Sequence, residues 1–448
     1  MTALFIRGGR VIDPASGRDE TADVAIEHGA IAEIGPKLAV PNGARVIEAE
    51  GMLVTPGLID PHVHLREPGQ EAKETIATGT AAAVAGGFTA VCCMPNTHPA
   101  IDSPEMVRAV LKRAEETASC RVFPVAAGTV GRSGETPTDV HLCRAAGAVA
   151  FSDDGDAIAS AGVMAKVLEA VADAGSVFMQ HCQEPTLTTG SVMHAGAVSA
   201  RLGLIGWPRV AEELILERDL RLVAAGGGRA RYHAQHLSSA GSVEIIKRAR
   251  AVGLCVTAEV SPHHLLLIDE LVAGESGHEF DTCAKMNPPL RERSDVEALR
   301  QAVAEGVITV LGTDHAPHTP DEKALPFEDA PFGIIGLETA LAAYAEALVH
   351  TGAIEWPRLI ALMTIEPARL CGLDAQGLGK LKVGGPADVT VIDPEREWTV
   401  TEADLAGKSR NTPLLGRHLR GRAAATVVGG EVRFQRVPKA EKSGQMAP

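Results

Sequence analysis

The middle of the chain alternates short apolar runs with longer amphipathic segments, and this rhythm limits the possible folds more than any other feature. Amphipathic stretches such as SPEMVRAVLKRAEETA and SDVEALRQAVAEG have the spacing of surface helices. Eight strands that are each followed by a helix make a (β/α)8 barrel, so the pattern predicts an α/β fold of this TIM-like type. The eight strand-like runs are LVTPGLI, FTAVCCM, RVFPVA, AVAFS, SVFMQ, RYHAQHL, GLCVTAE and VITVLGT.

The two ends of the chain have a different texture. Segments such as ALFIRGGRVID near the start and AAATVVGGEVRF near the end alternate apolar and polar residues between glycines. This period of two predicts short antiparallel strands. Because neither end alone could bury much surface, we expect the two ends to pair. The predicted organisation is a barrel over residues 56–374 and a small β domain formed by residues 1–55 and 375–448.

Composition excludes several classes of partner. The 448 residues include 42 basic and 57 acidic side chains, a net charge of −15, which argues against nucleic acid and anionic membranes. The sequence has no apolar run long enough to span a membrane and no evident signal peptide. Its eight cysteines are scattered without a C-x-x-C pair, as expected of a reduced, cytoplasmic protein.

Polar residues follow most of the predicted strands at the end where each strand finishes. In a barrel of parallel strands these ends meet at one mouth, and catalytic side chains come from there. Residues far apart in the sequence are therefore expected to converge. The residues at these positions are His62, His64, Asn96, Asp153, Asp154, His181, His236 and Asp314.

The stretch GLIDPHVHLREPG places His62 and His64 on the same side of an extended segment, because side chains on a strand repeat every second residue. Two neighbouring imidazoles and a carboxylate from strand eight can hold one divalent ion. Histidines from strands five and six can hold a second, with a carboxylate bridging the ions about 3.5–4 Å apart. Nitrogen and oxygen ligands suit zinc, and a hydroxide activated by such a pair could attack a carbonyl.

Other polar residues have more ordinary interpretations. Either Asp153 or Asp154 can be a turn residue, since DDG is a good turn sequence. His263 and His264 are predicted to support the site rather than to bind a metal. The histidines expected at the surface are His194, His278 and His350.

Several motifs together resemble the dihydroorotases of the amidohydrolase superfamily, in their long bacterial form. The resemblance runs over about residues 4–435. D-x-H-x-H alone marks the superfamily, whereas HLREPG with MPNT and MNPPLR is more specific to dihydroorotase. It implies the reversible cyclisation of N-carbamoyl-L-aspartate to L-dihydroorotate with loss of water, a step of pyrimidine biosynthesis. The motifs are GLIDPHVHLREPG, MPNT, AFSDDG, QHC, HLSS, SPHHL, MNPPLR, GTDHAPH and PFGIIGLE.

The resemblance also implies two Zn²⁺ ions per subunit. Many members of the superfamily bridge the ions with a carboxylated lysine after strand four, but the segment FSDDG has no lysine. An aspartate is the alternative bridge, and the spacing to the flanking histidines favours Asp154 over Asp153. Because an aspartate is shorter, we expect weaker or partial occupancy of the second site. The implied ligands are His62, His64 and Asp314 for the first ion and His181 and His236 for the second.

The substrate and the catalytic steps follow from the same resemblance. Arg66 offers a planar fork that suits the carboxylate of dihydroorotate. Asp314 is the implied acid and base, taking a proton and delivering it to the leaving nitrogen. The segment from His318 to Gly333 is predicted to be a mobile rim loop. The implied substrate-binding residues are His64, Arg66, Asn96, Asn287, His318, Phe332 and Gly333.

Two alternatives to this assignment remain open at the level of sequence. A related cyclic amidase, such as a hydantoinase or allantoinase, would share the barrel, although these relatives usually carry the missing lysine. A non-catalytic scaffold that assembles with a transcarbamoylase would be expected to have lost metal ligands. A homodimer and an association with a transcarbamoylase are expected only by analogy with the family.

Overall fold

The computed structural model describes residues 3–274 and 280–436. Its strands are β1 Leu4–Asp13, β2 Arg18–Glu27, β3 Ala30–Gly35, β4 Arg45–Glu48, β5 Leu53–Pro56, β6 Leu58–Val63, β7 Phe88–Cys93, β8 Arg121–Ala126, β9 Ala150–Phe151, β10 Val177–Gln180, β11 Met193–His194, β12 Gly206–Trp207, β13 Arg231–Ala234, β14 Val256–Val260, β15 Val310–Leu311, β16 Val389–Thr399, β17 His418–Val428 and β18 Glu431–Gln435. Its α-helices are α1 Ile76–Gly86, α2 Pro104–Thr117, α3 Val140–Ala146, α4 Ala161–Asp173, α5 Pro185–Thr188, α6 Ala197–Leu202, α7 Val210–Ala225, α8 Ala240–Ala251, α9 Pro262–Leu266, α10 Arg293–Ala304, α11 Pro320–Lys323, α12 Ala340–Tyr344, α13 Trp356–Met363 and α14 Ile365–Leu370.

Eight strands form one parallel sheet in the order β6-β7-β8-β9-β10-β13-β14-β15, which confirms the predicted barrel. Helices lie between successive strands, as the alternating pattern indicated. The circle is completed beyond the last strand, where Val63 at the end of β6 forms a parallel bridge with His315. The mouth of the barrel is therefore joined by the two segments that carry the first and last candidate ligands.

The helices of the outer layer form where the sequence supplies both a start signal and an apolar stripe. Ser103 precedes α2, and its side chain accepts a hydrogen bond from the backbone N–H of Met106, 3.3 Å away. Val107, Val110 and Ala114 recur at helical spacing and are buried against the barrel. Packing of this stripe holds the helix, and it leaves the carboxyl ends of the strands open at the mouth.

A second sheet contains strands from both ends of the chain, as predicted, in the order β18-β17-β16-β5-β1-β2-β3, with β4 paired to β1. It is not entirely antiparallel, because β1 runs parallel to both β4 and β5. The domain bounds placed at residues 55 and 375 stay a prediction. Residues 1–2 and 437–448 of the predicted β domain lie outside the described residues.

The first predicted barrel strand, LVTPGLI, is divided between the two sheets. Leu53–Pro56 pairs antiparallel with β16 in the small sheet, whereas the barrel strand begins at Leu58. Gly57 lies between them, and a Cβ atom there would come within 2.0 Å of the Thr89 side chain. The chain thus crosses between sheets at a residue that must be glycine, and this break is not visible in an uninterrupted apolar run.

The long connection after the fifth barrel strand carries structure of its own. It contains α5, α6 and the short pair β11 and β12 before α7 resumes the outer layer. Trp207 of β12 packs edge-on against Phe332, with ring centroids 5.8 Å apart. The insertion therefore contacts the rim of the barrel mouth. Among the described residues, no helix combines the length and the apolar character needed to cross a bilayer.

Candidate metal centre and active site

The candidate ligands meet because backbone hydrogen bonds close the barrel beside them. The N–H of Asp314 donates to the carbonyl oxygen of His62 at 3.1 Å, and the N–H of His64 donates to His315 at 2.9 Å. Asp314 and His236 have positive φ angles of 49° and 29°. Non-glycine residues rarely adopt this backbone region, and they cluster at functional sites where the surrounding structure holds them.

Asp154 lies at the centre of the four candidate histidines. Its Oδ1 atom is 3.4 Å from His62 Nε2, 3.5 Å from His236 Nε2 and 3.6 Å from His181 Nδ1. Its Oδ2 atom is 3.4 Å from His64 Nε2. One carboxylate thus faces imidazoles from three different barrel strands.

Asp153, the neighbour of Asp154, points away from this cluster. Its Oδ1 atom accepts hydrogen bonds from the backbone N–H groups of Gly128 at 2.9 Å and Thr129 at 3.0 Å. Its Oδ2 atom accepts a third from the Thr129 hydroxyl. These contacts engage both oxygens of Asp153 in holding the loop after β8.

The ligand atoms form two close groups in the described part of the chain. His62, His64 and Asp314 supply atoms within 4.8 Å of one another, and so do His62, Asp154 and His236. Within the first group, Asp314 Oδ1 is 3.0 Å from His64 Nε2 and 3.5 Å from His62 Nε2.

His181 lies beside the second of these groups rather than within it. Its Nδ1 atom is 2.9 Å from His236 Nε2, and its Nε2 atom is 2.9 Å from the Gln183 side-chain oxygen. The structure therefore brings all six predicted ligands together, but it groups His62, rather than His181, with Asp154 and His236.

The donor atoms fit a divalent metal ion. His62 Nε2 and Asp154 Oδ1 are buried and have no hydrogen-bond partner within residues 3–274 and 280–436. Burial raises the pKa of Asp154 and of Asp314, but the neighbouring imidazoles outweigh it and lower both pKa values below the ordinary range. The cluster thus offers ionised carboxylates and imidazole nitrogens, the ligands that zinc prefers.

Hydrogen bonds behind two of the histidines orient them. His62 Nδ1 donates to Glu259 Oε1 at 2.6 Å, and His64 Nδ1 donates to Asn96 Oδ1 at 2.8 Å. Each bond directs the Nε2 lone pair of its imidazole toward the cluster. The sequence reasoning missed Glu259, although it ends the predicted strand GLCVTAE and the strand-end rule could have found it.

A cavity of about 290 Å³ opens above the cluster. All seven residues predicted to bind substrate line it, and whether they bind substrate stays a prediction. Four lining residues were not predicted: Gln70, Arg132, Gly155 and Ala316. The predicted residues in the lining are His64, Arg66, Asn96, Asp154, His181, His236, Asn287, Asp314, His318, Phe332 and Gly333.

Arg66 is buried in the wall of this cavity. Its Nε atom donates to the carbonyl oxygen of Pro317 at 3.2 Å, and its Nη2 atom donates to His318 Nε2 at 3.4 Å. Burial lowers the pKa of Arg66 to about 10, so the guanidinium stays charged at neutral pH. Burial and the charge of Arg66 strongly lower the pKa of His318, which leaves it neutral and able to accept this bond.

Two lysines form hydrogen bonds that hold the rim segment from His318 to Gly333; Lys285 lies outside this segment and Lys323 lies within it. Lys285 Nζ donates to the carbonyl oxygens of Phe327 at 2.6 Å and Glu328 at 3.0 Å. Lys323 Nζ donates to the carbonyl oxygens of Thr282 at 2.9 Å and Pro331 at 2.8 Å. The mobility expected of this segment stays a prediction.

The remaining histidines have different surroundings. His263 and His264 contact backbone carbonyls through Nε2, at 3.3 and 2.9 Å, and they belong to neither close group around Asp154 and Asp314. The surface position predicted for His194 is wrong, because this residue is fully buried and accepts a hydrogen bond from Arg291. The other two are His350, which is partly buried, and His278, which lies outside the described residues.

Comparisons with known proteins agree with this geometry. A family described as Dihydro-orotase-like matches residues 51–242, and one described as Amidohydrolase family matches residues 221–434. The chain is 46% identical over 431 residues to a dihydroorotase of Trichlorobacter lovleyi, covering 96% of this chain and 99% of that protein. It is 48% identical over 429 residues to a dihydroorotase of Anaeromyxobacter dehalogenans, covering 96% and 97%.

Solved structures of similar shape are hydantoinases. An L-hydantoinase (dihydropyrimidinase) from Arthrobacter aurescens superposes with a TM-score of 0.85 at 25% identity, covering 97% of this chain and 96% of that one. A D-hydantoinase from a Bacillus species superposes with a TM-score of 0.83 at 24% identity and shows the shared fold alone.

Proposed function

The chain belongs to the dihydroorotase family, and from this premise we propose that it interconverts N-carbamoyl-L-aspartate and L-dihydroorotate. The reaction class is hydrolysis of a cyclic amide and its reversal. The observation that carries the proposal is the position of the buried Arg66 in the wall of the cavity above the Asp154 cluster. A guanidinium suits the carboxylate of the substrate, and the cluster suits the chemistry of its amide.

We propose that the site would bind two Zn²⁺ ions, which His62, His64 and Asp314 and the pair His181 and His236 would hold together with Asp154. The close packing of donor atoms around Asp154 supports a shared carboxylate, and the nitrogen and oxygen donor set supports zinc. When bound, such ions polarise the amide carbonyl and activate water at neutral pH.

The residues of the chain then orient the substrate and move the proton. Arg66 binds the ring carboxylate, with amide hydrogen bonds from Asn96 and Asn287. The carboxylate of Asp314 accepts a proton during ring opening and returns it to the ring nitrogen as that nitrogen leaves. In ring closure the same group takes the proton from the carbamoyl nitrogen. The remaining substrate contacts in this proposal are His64, His318, Phe332 and Gly333.

Turnover by the zinc-loaded enzyme tests this function against the related amidases. Ring opening of dihydroorotate should be followed by absorbance, with hydantoin and allantoin as comparison substrates at the same concentration. We expect dihydroorotate to be the preferred substrate by at least about 10⁴-fold in kcat/KM, because a site built for a charged group rejects analogues that lack it. Preferential turnover of hydantoin would overturn the proposal and favour a hydantoinase.

Further proposals concern partners and location. We propose that the protein is a homodimer, that it is located in the cytoplasm and that it associates with a transcarbamoylase. The eight free thiols, six of them buried, support a reducing compartment. Light scattering of the purified enzyme, alone and mixed with a transcarbamoylase of the same cell, tests the assembly.

A further inference from the structure

Arg132 lines the candidate cavity, and the proposed reaction has so far used no side chain from its loop. It follows β8 in the segment GTVGRSGE and its side chain is 17% exposed. Its Nε atom donates weakly, at 3.4 Å, to the backbone oxygen of Asp153, the residue before Asp154. Arg132 therefore contacts the backbone next to Asp154, whereas Arg66 is held by Pro317 and His318.

The loop that carries Arg132 is held in an uncommon conformation. Arg132 has a φ of 58° and follows Gly131, whose φ is 61°. The N–H of Gly131 donates to Asp102 at 2.7 Å, and the N–H of Gly134 donates to the Thr129 hydroxyl at 2.9 Å. An arginine keeps a left-handed backbone conformation only where the surrounding structure stabilises it, and such positions cluster at functional sites.

Asp153 connects this loop to the ligand cluster. It accepts hydrogen bonds from the backbone of Gly128 and Thr129 and from the Thr129 hydroxyl, so the base of the loop is bound to the residue next to Asp154. Movement of the Arg132 loop would therefore disturb the segment that presents Asp154. Asp153, the first aspartate of the DDG motif, therefore holds the base of the Arg132 loop, a role that metal binding alone would not assign to it.

The charge of Arg132 is only loosely paired. Its Nη2 atom donates to Asp156 Oδ2 at 2.6 Å, but the Asp156 side chain is 66% exposed. Exposed pairs contribute little and are readily exchanged for another anion. The chain has a net charge of −15, so its overall electrostatic field repels an anionic substrate. A cation that faces the cavity makes the field locally attractive to that substrate.

The two substrates of the proposed reaction differ in charge. Carbamoyl aspartate carries two carboxylates. Ring closure joins the carbamoyl nitrogen to one carboxyl carbon, takes up one proton and releases one water, so dihydroorotate keeps a single carboxylate. The carboxylate that reacts must arrive at the ligand cluster, and Arg132 lines the same cavity and contacts the backbone next to Asp154.

We propose that Arg132 is a specificity-determining residue whose guanidinium recognises the dianionic open-chain substrate in preference to the monoanionic ring. This inference rests on the proposed function, since it assigns the two anions to the same cavity. Arg66 serves the carboxylate that both substrates share, and Arg132 serves the carboxylate that only the open chain carries.

Steady-state kinetics of Arg132→Gln in both directions tests the assignment. We expect KM for carbamoyl aspartate to rise about fivefold, as for loss of one partly exposed charged contact, and KM for dihydroorotate to change less than about twofold. Because the equilibrium constant is fixed, kcat/KM must change equally in both directions. The ratio of the ring-closing kcat to the ring-opening kcat must then rise by the same factor as the ratio of the two KM values.

Three further measurements separate charge recognition from a purely structural role. Arg132→Lys keeps the positive charge on which the assignment rests, so it should keep KM for carbamoyl aspartate within about twofold of wild type. Asp156→Asn releases the guanidinium at an exposed site and should lower that KM. Added salt should shrink the difference between wild type and Arg132→Gln. The matched remote control is Arg229→Gln, which replaces an arginine that is 59% exposed and paired with Asp173, and it should change neither KM.

The outcomes distinguish this inference from the function on which it rests. Equal changes in both KM values of Arg132→Gln, or no change, would overturn the role of Arg132 while leaving the dihydroorotase activity in place. A rise in KM for carbamoyl aspartate in Asp156→Asn would also overturn it. Failure of the wild-type enzyme to turn over dihydroorotate would instead remove the proposed function.

Discussion

The backbone N–H of Asp314 donates a hydrogen bond to the carbonyl oxygen of His62, with the two atoms 3.1 Å apart. This bond joins the end of the first barrel strand to the residues that follow the last one. It closes the barrel at the point where the candidate ligands emerge. Because the bond is made by backbone atoms, side-chain substitutions in the cluster should leave the barrel closed, and their effects can be measured on a folded protein.

Asp314→Asn should abolish most of the activity. The variant keeps the size of the side chain but removes the carboxylate that we propose as both metal ligand and proton acceptor, so we expect kcat for dihydroorotate to fall by at least about 10³-fold. His181→Asn removes one ligand only and should cost less. The check is kcat with zinc in excess, with the unfolding temperature as the control for folding. A larger loss in His181→Asn would contradict the dual role of Asp314.

Substitution of the two neighbouring aspartates should have different effects on zinc binding. Asp154→Asn should lower bound zinc and activity, and it should also destabilise the metal-free protein, because the imidazoles that hold the pKa of Asp154 below its ordinary range lose their counter-charge. Asp153→Asn should destabilise the fold by about 1–3 kcal/mol, because an NH₂ group replaces the Oδ2 atom that accepts the hydrogen bond of the buried Thr129 hydroxyl. Metal analysis distinguishes the two variants, with denaturant unfolding as the check on stability, and loss of zinc in Asp153→Asn alone would reverse the assignment.

Glu259→Gln should weaken metal binding without touching a ligand. Glu259 accepts a hydrogen bond from His62 Nδ1 at 2.6 Å and contacts His233 at 3.0 Å, and these bonds lower its pKa strongly although burial opposes them. Loss of such an orienting carboxylate typically costs 10–100-fold in metal affinity, about 1.4–2.7 kcal/mol. Competition with a zinc chelator measures the affinity. An unchanged affinity would show that His62 is oriented by other contacts.

Arg66→Lys should damage substrate binding although it keeps the charge. A lysine has no planar fork and cannot reproduce both the bond to Pro317 and a paired contact to a carboxylate. We expect KM for dihydroorotate to rise about tenfold, equivalent to about 1.4 kcal/mol, with a smaller change in kcat. Initial rates over a range of dihydroorotate concentrations measure both constants. A KM within twofold of wild type would argue that Arg66 acts only as a point charge.

The contribution of Lys323 to stability should depend on pH. Burial lowers its pKa from an ordinary value of 10.5 to about 8. Between these values the unfolded chain binds more protons than the folded protein, so the free energy of unfolding rises with pH there. Relative to Lys323→Met, wild type should gain up to about 3 kcal/mol between pH 8 and pH 10.5. Urea unfolding across this range is the measurement, and a difference that stays constant with pH would contradict the prediction.

Much of the candidate site could be predicted because it depends on local patterns. The period of strands and helices determines that polar residues after each strand share one mouth, and the period of two places His62 and His64 on one side. These relations need no knowledge of which residues touch. They led from the sequence to five candidate ligands and to the pair Asp153 and Asp154, whereas the choice of Asp154 and the role of Arg66 came from the resemblance to dihydroorotases. The proposed experiments test these functional assignments.

The tertiary structure alone decided two features that depend on contacts between distant segments. The roles of Asp153 and Asp154 differ because Gly128 and Thr129 donate to one of them, while the histidines of other strands surround the second. Glu259 lies behind His62 because their strands meet across the barrel. The hydrogen-bond partners of a buried carboxylate can come from segments that are distant in the sequence. The residues next to the carboxylate in the sequence therefore do not reveal those partners.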